Sequence, residues 1–363
     1  MDLGIGFYQY TNCYGSPQAT ATALKALGCR WVIIKIGNGT ADKGSATTAT
    51  YPGAQGDAVK ALTDAGLEVW GYHYIYGGVR YTEASGHYYS GASPAAEADF
   101  ANSWANGLAV HGLKGYVINA EHEFKGLDQA SRAKAFMDRL DVKIPVALSS
   151  YRYPTVHKEF PWGAFYASGK IAYHMPQVYQ DDGAGQAVKQ LTRCIDEYNS
   201  YPAIPKLPIV PTGRAYLEGV YKEVKAAEIS GFIEECKRRG FSGCSFWVLD
   251  HYKNKPSITP EVNAAFKASP WPAVQPPADN LLELYDMVKR LIDFADDHST
   301  RLDALEALAG AHTAQLPGIA SCAADAMLRA GKAEASAERA NTTGDTVKAR
   351  LQAWEQLVRQ GPV

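Results

Sequence analysis

The chain has 363 residues, 46% of them hydrophobic and 20% charged, enough to bury a sizeable core and too apolar for a disordered polyelectrolyte. Lys+Arg 36 against Asp+Glu 38 leaves a formal charge of −2, which removes the electrostatic case for a nucleic-acid or anionic-membrane partner. No apolar run approaches the roughly 18 residues of a membrane span, and the opening MDLGIGFYQY has no basic segment followed by an apolar one, so no signal peptide is expected.

Residues 1–269 alternate short apolar runs with helical stretches. The predicted strands are Leu3–Tyr8, Trp31–Ile36, Leu67–Tyr74, Gly115–Glu121, Ile144–Ser149, Ile171–Tyr179, Leu207–Pro211 and Gly243–Asp250. Helix-like segments lie between them: Ser16–Leu27, Gly53–Ala65, Pro94–His111, Gln129–Leu140, Gln186–Tyr198 and Ala226–Arg239. Several of these end in glycine just before the next strand (Gly28, Gly66, Gly240), the residue a helix C-terminus favours. Eight strand–helix units predict an α/β fold of the (β/α)8 type. The rival open, doubly wound sheet lacks a glycine-rich phosphate fingerprint after its first strand.

All tyrosines but Tyr285 precede residue 253. A proline-rich stretch at 270–279 reads as a linker, and residues 280–363 follow a different period. With Leu281 at position a, the a sites are Leu281, Val288, Ala295, Leu302, Ala309 and Leu316. The d sites are Leu284, Leu291, His298, Leu305, His312 and Ile319. This stripe predicts an α-helical coiled coil through 281–316, with a homo-trimer favoured and His298 and His312 as polar layers. Its rival is a helical bundle folded back on itself or on the barrel. Six dispersed cysteines (Cys13, Cys29, Cys194, Cys236, Cys244, Cys322) without a CxxC pair read as buried thiols of a protein made in a reducing cytoplasm.

A barrel carries its chemistry at the C-terminal ends of its strands. Strand four ends Asn119-Ala-Glu121-His122-Glu123, and alternation places Val117, Asn119 and Glu121 on one face. Strand three supplies Tyr72 and Tyr74, strand one Tyr8, strand six Gln177 and Tyr179 followed by Asp181 and Asp182, and strand eight Trp247 and Asp250. Carboxylates, amides and aromatics with polar tips form a lining that stacks on sugar faces and hydrogen-bonds hydroxyls. Glu121, Asn119, Asp181, Asp182 and Asp250 are the catalytic candidates; Tyr8, Tyr72, Tyr74, Gln177, Tyr179 and Trp247 are the substrate-binding ones. For Glu121 the alternative is a structural carboxylate paired with Lys125, and for Asp250 a loop cap. No HExxH or GxSxG motif occurs, adjacent Glu121-His122-Glu123 cannot chelate one ion jointly, and neither metal nor cofactor is expected.

These residues carry a resemblance. The barrel resembles the family 25 glycoside hydrolases, lysozyme-like muramidases, and the related barrels of actinobacteria and their phages. In that family the first strand reads Gly-Ile-Asp and the fourth ends Asp-x-Glu; here Gly4-Ile5-Gly6 and Asn119-Ala120-Glu121 stand at those places. Tyr72-His73-Tyr74, Ser149-Ser150-Tyr151 and the Trp247 strand also fit. The resemblance implies Glu121 as the acid catalyst, a bacterial cell-wall glycan as partner, and no carboxylate at two expected positions. Asn119 cannot act as a carboxylate nucleophile, but it can orient a substrate 2-acetamido group that attacks in its place. With the stalk, the expected protein is a minor tail or fibre protein in a phage virion, with other tail proteins as partners. A non-catalytic carbohydrate-binding tail-tip protein or adhesin is the rival from another class, and a cytoplasmic metabolic enzyme is a third reading that lacks a cofactor motif.

Overall fold

The computed structural model describes residues 2–272, except 41–48, 79–80, 83–87, 90–91, 127, 181–185, 218–222 and 255–258. The predicted coiled coil, Cys322, Asp181 and Asp182 lie outside the described residues.

Eight parallel strands close into a barrel: β1 (Gly4–Gln9), β2 (Trp31–Asn38), β3 (Glu68–Tyr74), β4 (Leu113–Asn119), β5 (Val146–Tyr151), β6 (Ile171–Gln177), β7 (Thr212–Arg214) and β8 (Gly243–Trp247). Neighbours in the ring follow chain order, and β8 closes on β1 with Gly4 opposite Gly243 and Phe7 opposite Phe246. Outside it run α1 (Pro17–Ala26), α2 (Gln55–Asp64), α3 (Pro94–Ala109), α4 (Gln129–Arg139), α5 (Trp162–Tyr166), α6 (Gln186–Ser200), α7 (Ala226–Arg238), α8 (Leu249–Asn254) and α9 (Pro260–Ala268). The fold is the (β/α)8 barrel. A small antiparallel pair, Tyr81–Thr82 with Tyr88–Tyr89, lies between β3 and α3.

The helix ends show why this sequence alternates as it does. Ser16-Pro17, Ser93-Pro94 and Thr259-Pro260 open α1, α3 and α9, each hydroxyl accepting a backbone N–H of the first turn and each proline supplying a preset φ. Three helices then stop identically. Gly28, Gly66 and Gly240 adopt φ of 79°, 84° and 69°, and the following N–H of Cys29, Leu67 and Phe241 reaches back to the carbonyls of Leu24, Leu62 and Cys236. This is the left-handed glycine stop, and it turns the chain directly into β2, β3 and β8.

Two predicted strands are corrected. The 207–211 run touches β6 through one bridge, His174 with Ile209, and β7 proper begins at Thr212. Pro205, Pro208 and Pro211 lack the N–H groups that a continuous ladder needs. The last strand ends at Trp247, and the segment read as its C-terminal half turns into α8, which carries Asp250. Ser269 and Trp271 are buried, and the Trp271 and Pro272 carbonyls accept from Arg30, so the proline-rich stretch begins as part of the barrel.

The interior is packed, not hollow. Trp31 and Trp70 meet edge-to-face at 6.0 Å and fill the space left by two glycines: a Cβ on Gly6 would lie 2.4 Å from the Trp31 ring, and one on Gly115 2.3 Å from the Trp70 ring. Ile33, Val117, Ala147, Met175 and Val210 complete this inner cluster. Between barrel and helices, His73 sits fully buried with Nε2 on the Gly39 carbonyl (2.6 Å) and Nδ1 on the Tyr116 hydroxyl (3.0 Å); burial lowers its pKa to about 4. Cys29, Cys194, Cys236 and Cys244 are buried free thiols, and Cys13 is a half-buried one. Among the described residues no helix is long and apolar enough to cross a membrane.

Candidate active site

Glu121 stands just beyond β4, where the chain leaves the strand for a short turn at His122–Phe124. Its carboxylate is partly exposed and accepts from Gln177 Nε2 at 2.9 Å. The same nitrogen lies 2.9 Å from Asn119 Oδ1 and 3.4 Å from Ser149 Oγ. Three adjacent strands therefore converge on one amide: β4 through Asn119 and Glu121, β5 through Ser149, and β6 through Gln177. Inward alternation does this, since Asn119, Ser149 and Gln177 are each two residues above an inward apolar residue, Val117, Ala147 and Met175.

Lys125 does not neutralise Glu121. Its ammonium contacts His157 Nδ1 (2.6 Å) and Glu159 (3.0 Å) and lies 4.0 Å over the Tyr151 ring. Glu123 has a separate partner: Tyr74 donates its hydroxyl to both carboxylate oxygens at 2.8 Å, and burial raises the Glu123 pKa. Tyr74 is thus engaged in holding a buried acid. No group of acids, histidines and cysteines fit to hold a metal occurs among the described residues.

The opposite wall is aromatic. Tyr8, Tyr72 and Trp247 touch one another, with ring centroids at 5.2 Å (Tyr8–Tyr72), 5.4 Å (Tyr8–Trp247) and 5.8 Å (Tyr72–Trp247). Tyr8 is only 1% exposed and its pKa is pushed up to about 12, chiefly by burial, so it forms the base of this wall more than its surface. Tyr179, at a left-handed φ of 38°, packs edge-to-face on Tyr216 at 5.5 Å. Burial raises the phenol pKa of Tyr72, Tyr74, Tyr151 and Tyr179, with the Glu121 charge adding to each, so five tyrosine rings share the field of one carboxylate once Tyr8 is included.

Asp250, a candidate from the sequence, is used otherwise. Its Oδ2 accepts from Tyr10 N (2.7 Å), while its Oδ1 accepts from Thr11 N (2.6 Å) and from the Thr11 hydroxyl. Buried on α8, it ties down the loop after β1, as the loop-cap alternative requires. Ser149 and Tyr151 are legible in the sequence as part of the Ser149-Ser150-Tyr151 motif but carry no site role there, though their i, i+2 spacing on β5 is a usable signal. Lys35 in WVIIKIG carries no role in the sequence reading either; it is 2% exposed and lies 4.1 Å over the Tyr10 ring.

Around the mouth the loops are braced from within. Arg214, fully buried, donates to the carbonyls of Gln180 (2.8 Å), Tyr216 (3.2 Å) and Glu223 (2.9 Å) and pairs with buried Glu228 at 3.3 Å. Gln180 returns two bonds to the Arg214 backbone. On the other side Glu97 accepts from Tyr76 N and Gly77 N, both at 2.8 Å.

No protein-family model matches this sequence, and no curated protein does. Solved structures do. The barrel is similar to active domain 2 of a thermostable chitinase from Pyrococcus furiosus, with TM-score 0.51 and 13% identity over 74% of this chain and 94% of that one. It is also similar to an endo-1,4-β-D-mannanase from Thermotoga petrophila RKU-1, with TM-score 0.50 and 10% identity over 74% and 98%. Endoglucanase Cel5A from Pseudomonas stutzeri gives TM-score 0.50 and 11% identity over 75% and 96%. At such identities the likeness is one of fold. The chain shares the (β/α)8 barrel fold of these three proteins.

Proposed function

We propose that this barrel binds a bacterial cell-wall glycan in its C-terminal mouth and cleaves it in the manner of a muramidase, with Glu121 as proton donor. The observation that carries the reading is the Gln177 amide held 2.9 Å from both Asn119 and Glu121, under an aromatic wall of Tyr72 and Trp247. A glycosidase needs a proton donor and a second group that stabilises the oxocarbenium-like centre. Here the second group comes from the substrate: Asn119 and Gln177 orient its 2-acetamido group. The acetamido oxygen attacks C1 while Glu121 transfers its proton to the departing glycosidic oxygen. Water then adds at C1, reopens the cyclic intermediate and returns a proton to Glu121.

The finer reading keeps the domain plan of barrel 1–269, linker 270–279 and coiled-coil stalk 280–363. It makes the chain a trimeric minor tail or fibre protein of a phage, synthesised in the host cytoplasm and carried in the virion among other tail proteins. The rival is a non-catalytic carbohydrate-binding protein. It is favoured by one specific observation: among the described residues no second carboxylate is free to act beside Glu121. The Gly6 position is filled by Trp31, Asp250 is bonded to Tyr10 and Thr11, and Glu123 is held by Tyr74. Release of reducing ends from purified cell walls separates the two. The enzyme reading expects release by the wild-type chain and a loss of about 10²–10⁴-fold in Glu121→Gln; binding without release hands the case to the rival.

A further inference from the structure

Glu121 is partly exposed, yet the chain on both sides of it is pinned. Before it, Ala120 N donates to the Ser149 carbonyl (3.2 Å), and the Ala120 carbonyl accepts from the buried Ser150 hydroxyl (2.8 Å). After it, Phe124 N donates to the Glu121 carbonyl (3.1 Å), and the Phe124 ring is fully buried against Phe160 and Phe165. A Cβ on Gly77, in the loop after β3, would lie 2.6 Å from that ring. Arg132 of α4 donates from one nitrogen to the carbonyls of Gly77 (3.1 Å) and Glu123 (3.0 Å), so the loops after β3 and β4 are fastened to each other. Within this turn Glu123 is the unusual residue. It is only 4% exposed, and burying a carboxylate costs folding free energy that a shorter apolar side chain would not. One hydroxyl, that of Tyr74, reaches both of its oxygens at 2.8 Å, and His122 Nε2 lies 3.3 Å from one of them. Tyr74 ends β3 opposite Asn119, and the next residue, Ile75, donates its N–H to the Asn119 carbonyl (3.0 Å). Residues 119 and 123, two before and two after Glu121, are therefore both held by the end of β3: one through its backbone, the other through the Tyr74 hydroxyl.

We propose that Tyr74 and Glu123 are positioning residues for Glu121: their hydrogen bond closes a clamp on segment 119–123 and fixes where the Glu121 carboxyl stands in the mouth. The clamp rests on the reading of Glu121 as proton donor. A proton donor acts only within hydrogen-bond reach of the atom it serves, and a misplacement of about 1 Å costs up to about 100-fold in rate. A glutamate just past the end of a strand, with its side chain toward solvent, gains that precision only if its backbone is held on both sides. Neither clamp residue touches the glycan in this role, since the Tyr74 hydroxyl is already given to Glu123.

Steady-state release of reducing ends from solubilised cell-wall peptidoglycan tests it, with the full chain and its Tyr74→Phe, Glu123→Ala and Glu123→Gln variants. Each is assayed at a temperature at which circular dichroism shows it folded. Tyr74→Phe and Glu123→Ala should each lower kcat about 10- to 100-fold with KM nearly unchanged, because the acid is displaced while the glycan-contacting residues stay. The double variant should lose no more than the worse single one, since both changes break the same bond. Glu123→Gln keeps the volume and one acceptor oxygen, and should restore most of the kcat lost in Glu123→Ala. Folded Tyr74→Phe protein with the wild-type kcat overturns the clamp, whatever its melting temperature, and leaves the cleavage reading standing. A raised KM with unchanged kcat shows instead that these residues contact the glycan, and also overturns it. Wild-type protein that releases no reducing ends overturns both.

Discussion

The resemblance drawn from the sequence expects an aspartate where this chain has Gly6, and the structure gives a reason why that residue does not fit there. A Cβ there would lie 2.4 Å from Trp31 Nε1, 2.5 Å from Cδ1 and 2.6 Å from Cε2. The indole cannot step aside, because it is fully buried, packed on Trp70, and its N–H donates to the carbonyls of Gly4 (3.2 Å) and Cys244 (3.3 Å). Overpacking of this kind costs about 1–3 kcal/mol, and losing the indole hydrogen bond adds about 1 kcal/mol. Gly6→Ala should therefore cost about 3 kcal/mol, a fall of roughly 6–12 °C in melting temperature. Gly6→Asp adds a buried carboxylate and should cost more still. In a Trp31→Leu background the Gly6→Ala penalty should shrink, giving a coupling of about 2 kcal/mol in a double-mutant cycle. Thermal and urea unfolding followed by far-ultraviolet circular dichroism reads the four proteins of the cycle and Gly6→Asp. A Gly6→Ala chain that melts with the wild type, or a cycle without coupling, would refute the argument that Trp31 excludes the aspartate.

Three further outcomes follow from other parts of the molecule. Burial pushes the Glu97 pKa up to about 8, so the folded chain holds this proton more tightly than the unfolded one, and stability falls as pH rises toward 8. His73 and His174, lowered to about 4, contribute stability that is lost on acidification below about 6.5; between about pH 6.5 and 8 the Glu97 slope remains, worth about 2 kcal/mol. Glu97→Gln should flatten the melting temperature across that window, and an unchanged slope would contradict this. Arg214→Met strands Glu228 in the interior and should cost about 3–5 kcal/mol, only part of it recovered in Arg214→Met/Glu228→Gln because the Gln180, Tyr216 and Glu223 carbonyls still lack their donor; a single variant within about 1 kcal/mol of wild type would contradict it. The 281–316 stripe, finally, predicts a trimer by sedimentation at about pH 7.5 that weakens toward pH 5 as His298 and His312 take up protons; a monomer at the higher pH would contradict the stalk.

The barrel was legible because its punctuation is local. Gly28, Gly66 and Gly240 end helices by a backbone conformation that few other residues adopt, and hydroxyl–proline pairs start them, so strand count and order could be read directly. β7 was misplaced because an apolar run says nothing about missing N–H groups; the prolines at 205, 208 and 211 carried that information. Asn119 and Gln177 are visible in the sequence as residues at strand ends, yet their convergence on one nitrogen depends on the stagger between β4 and β6, which no single strand contains. For Asp250 the sequence left a catalytic role and a loop cap both open, for a related reason. Its partners Tyr10 and Thr11 lie some 240 residues away in the chain and meet it only once β8 has closed on β1. The roles of Tyr74 and Lys125 were likewise set by neighbours, Glu123 and His157, which packing alone brings within reach.

The central claim is that a glycan lies in the mouth with its scissile bond at Glu121. A crystal structure of Glu121→Gln in complex with a chito-oligosaccharide addresses it most directly. The account predicts a glycosidic oxygen within about 3 Å of the residue-121 side chain, the 2-acetamido group of the adjoining ring on Asn119 and Gln177, and a pyranose face on Trp247. A saccharide bound outside the mouth, or one lying in it with no glycosidic oxygen within hydrogen-bond reach of residue 121, would contradict it.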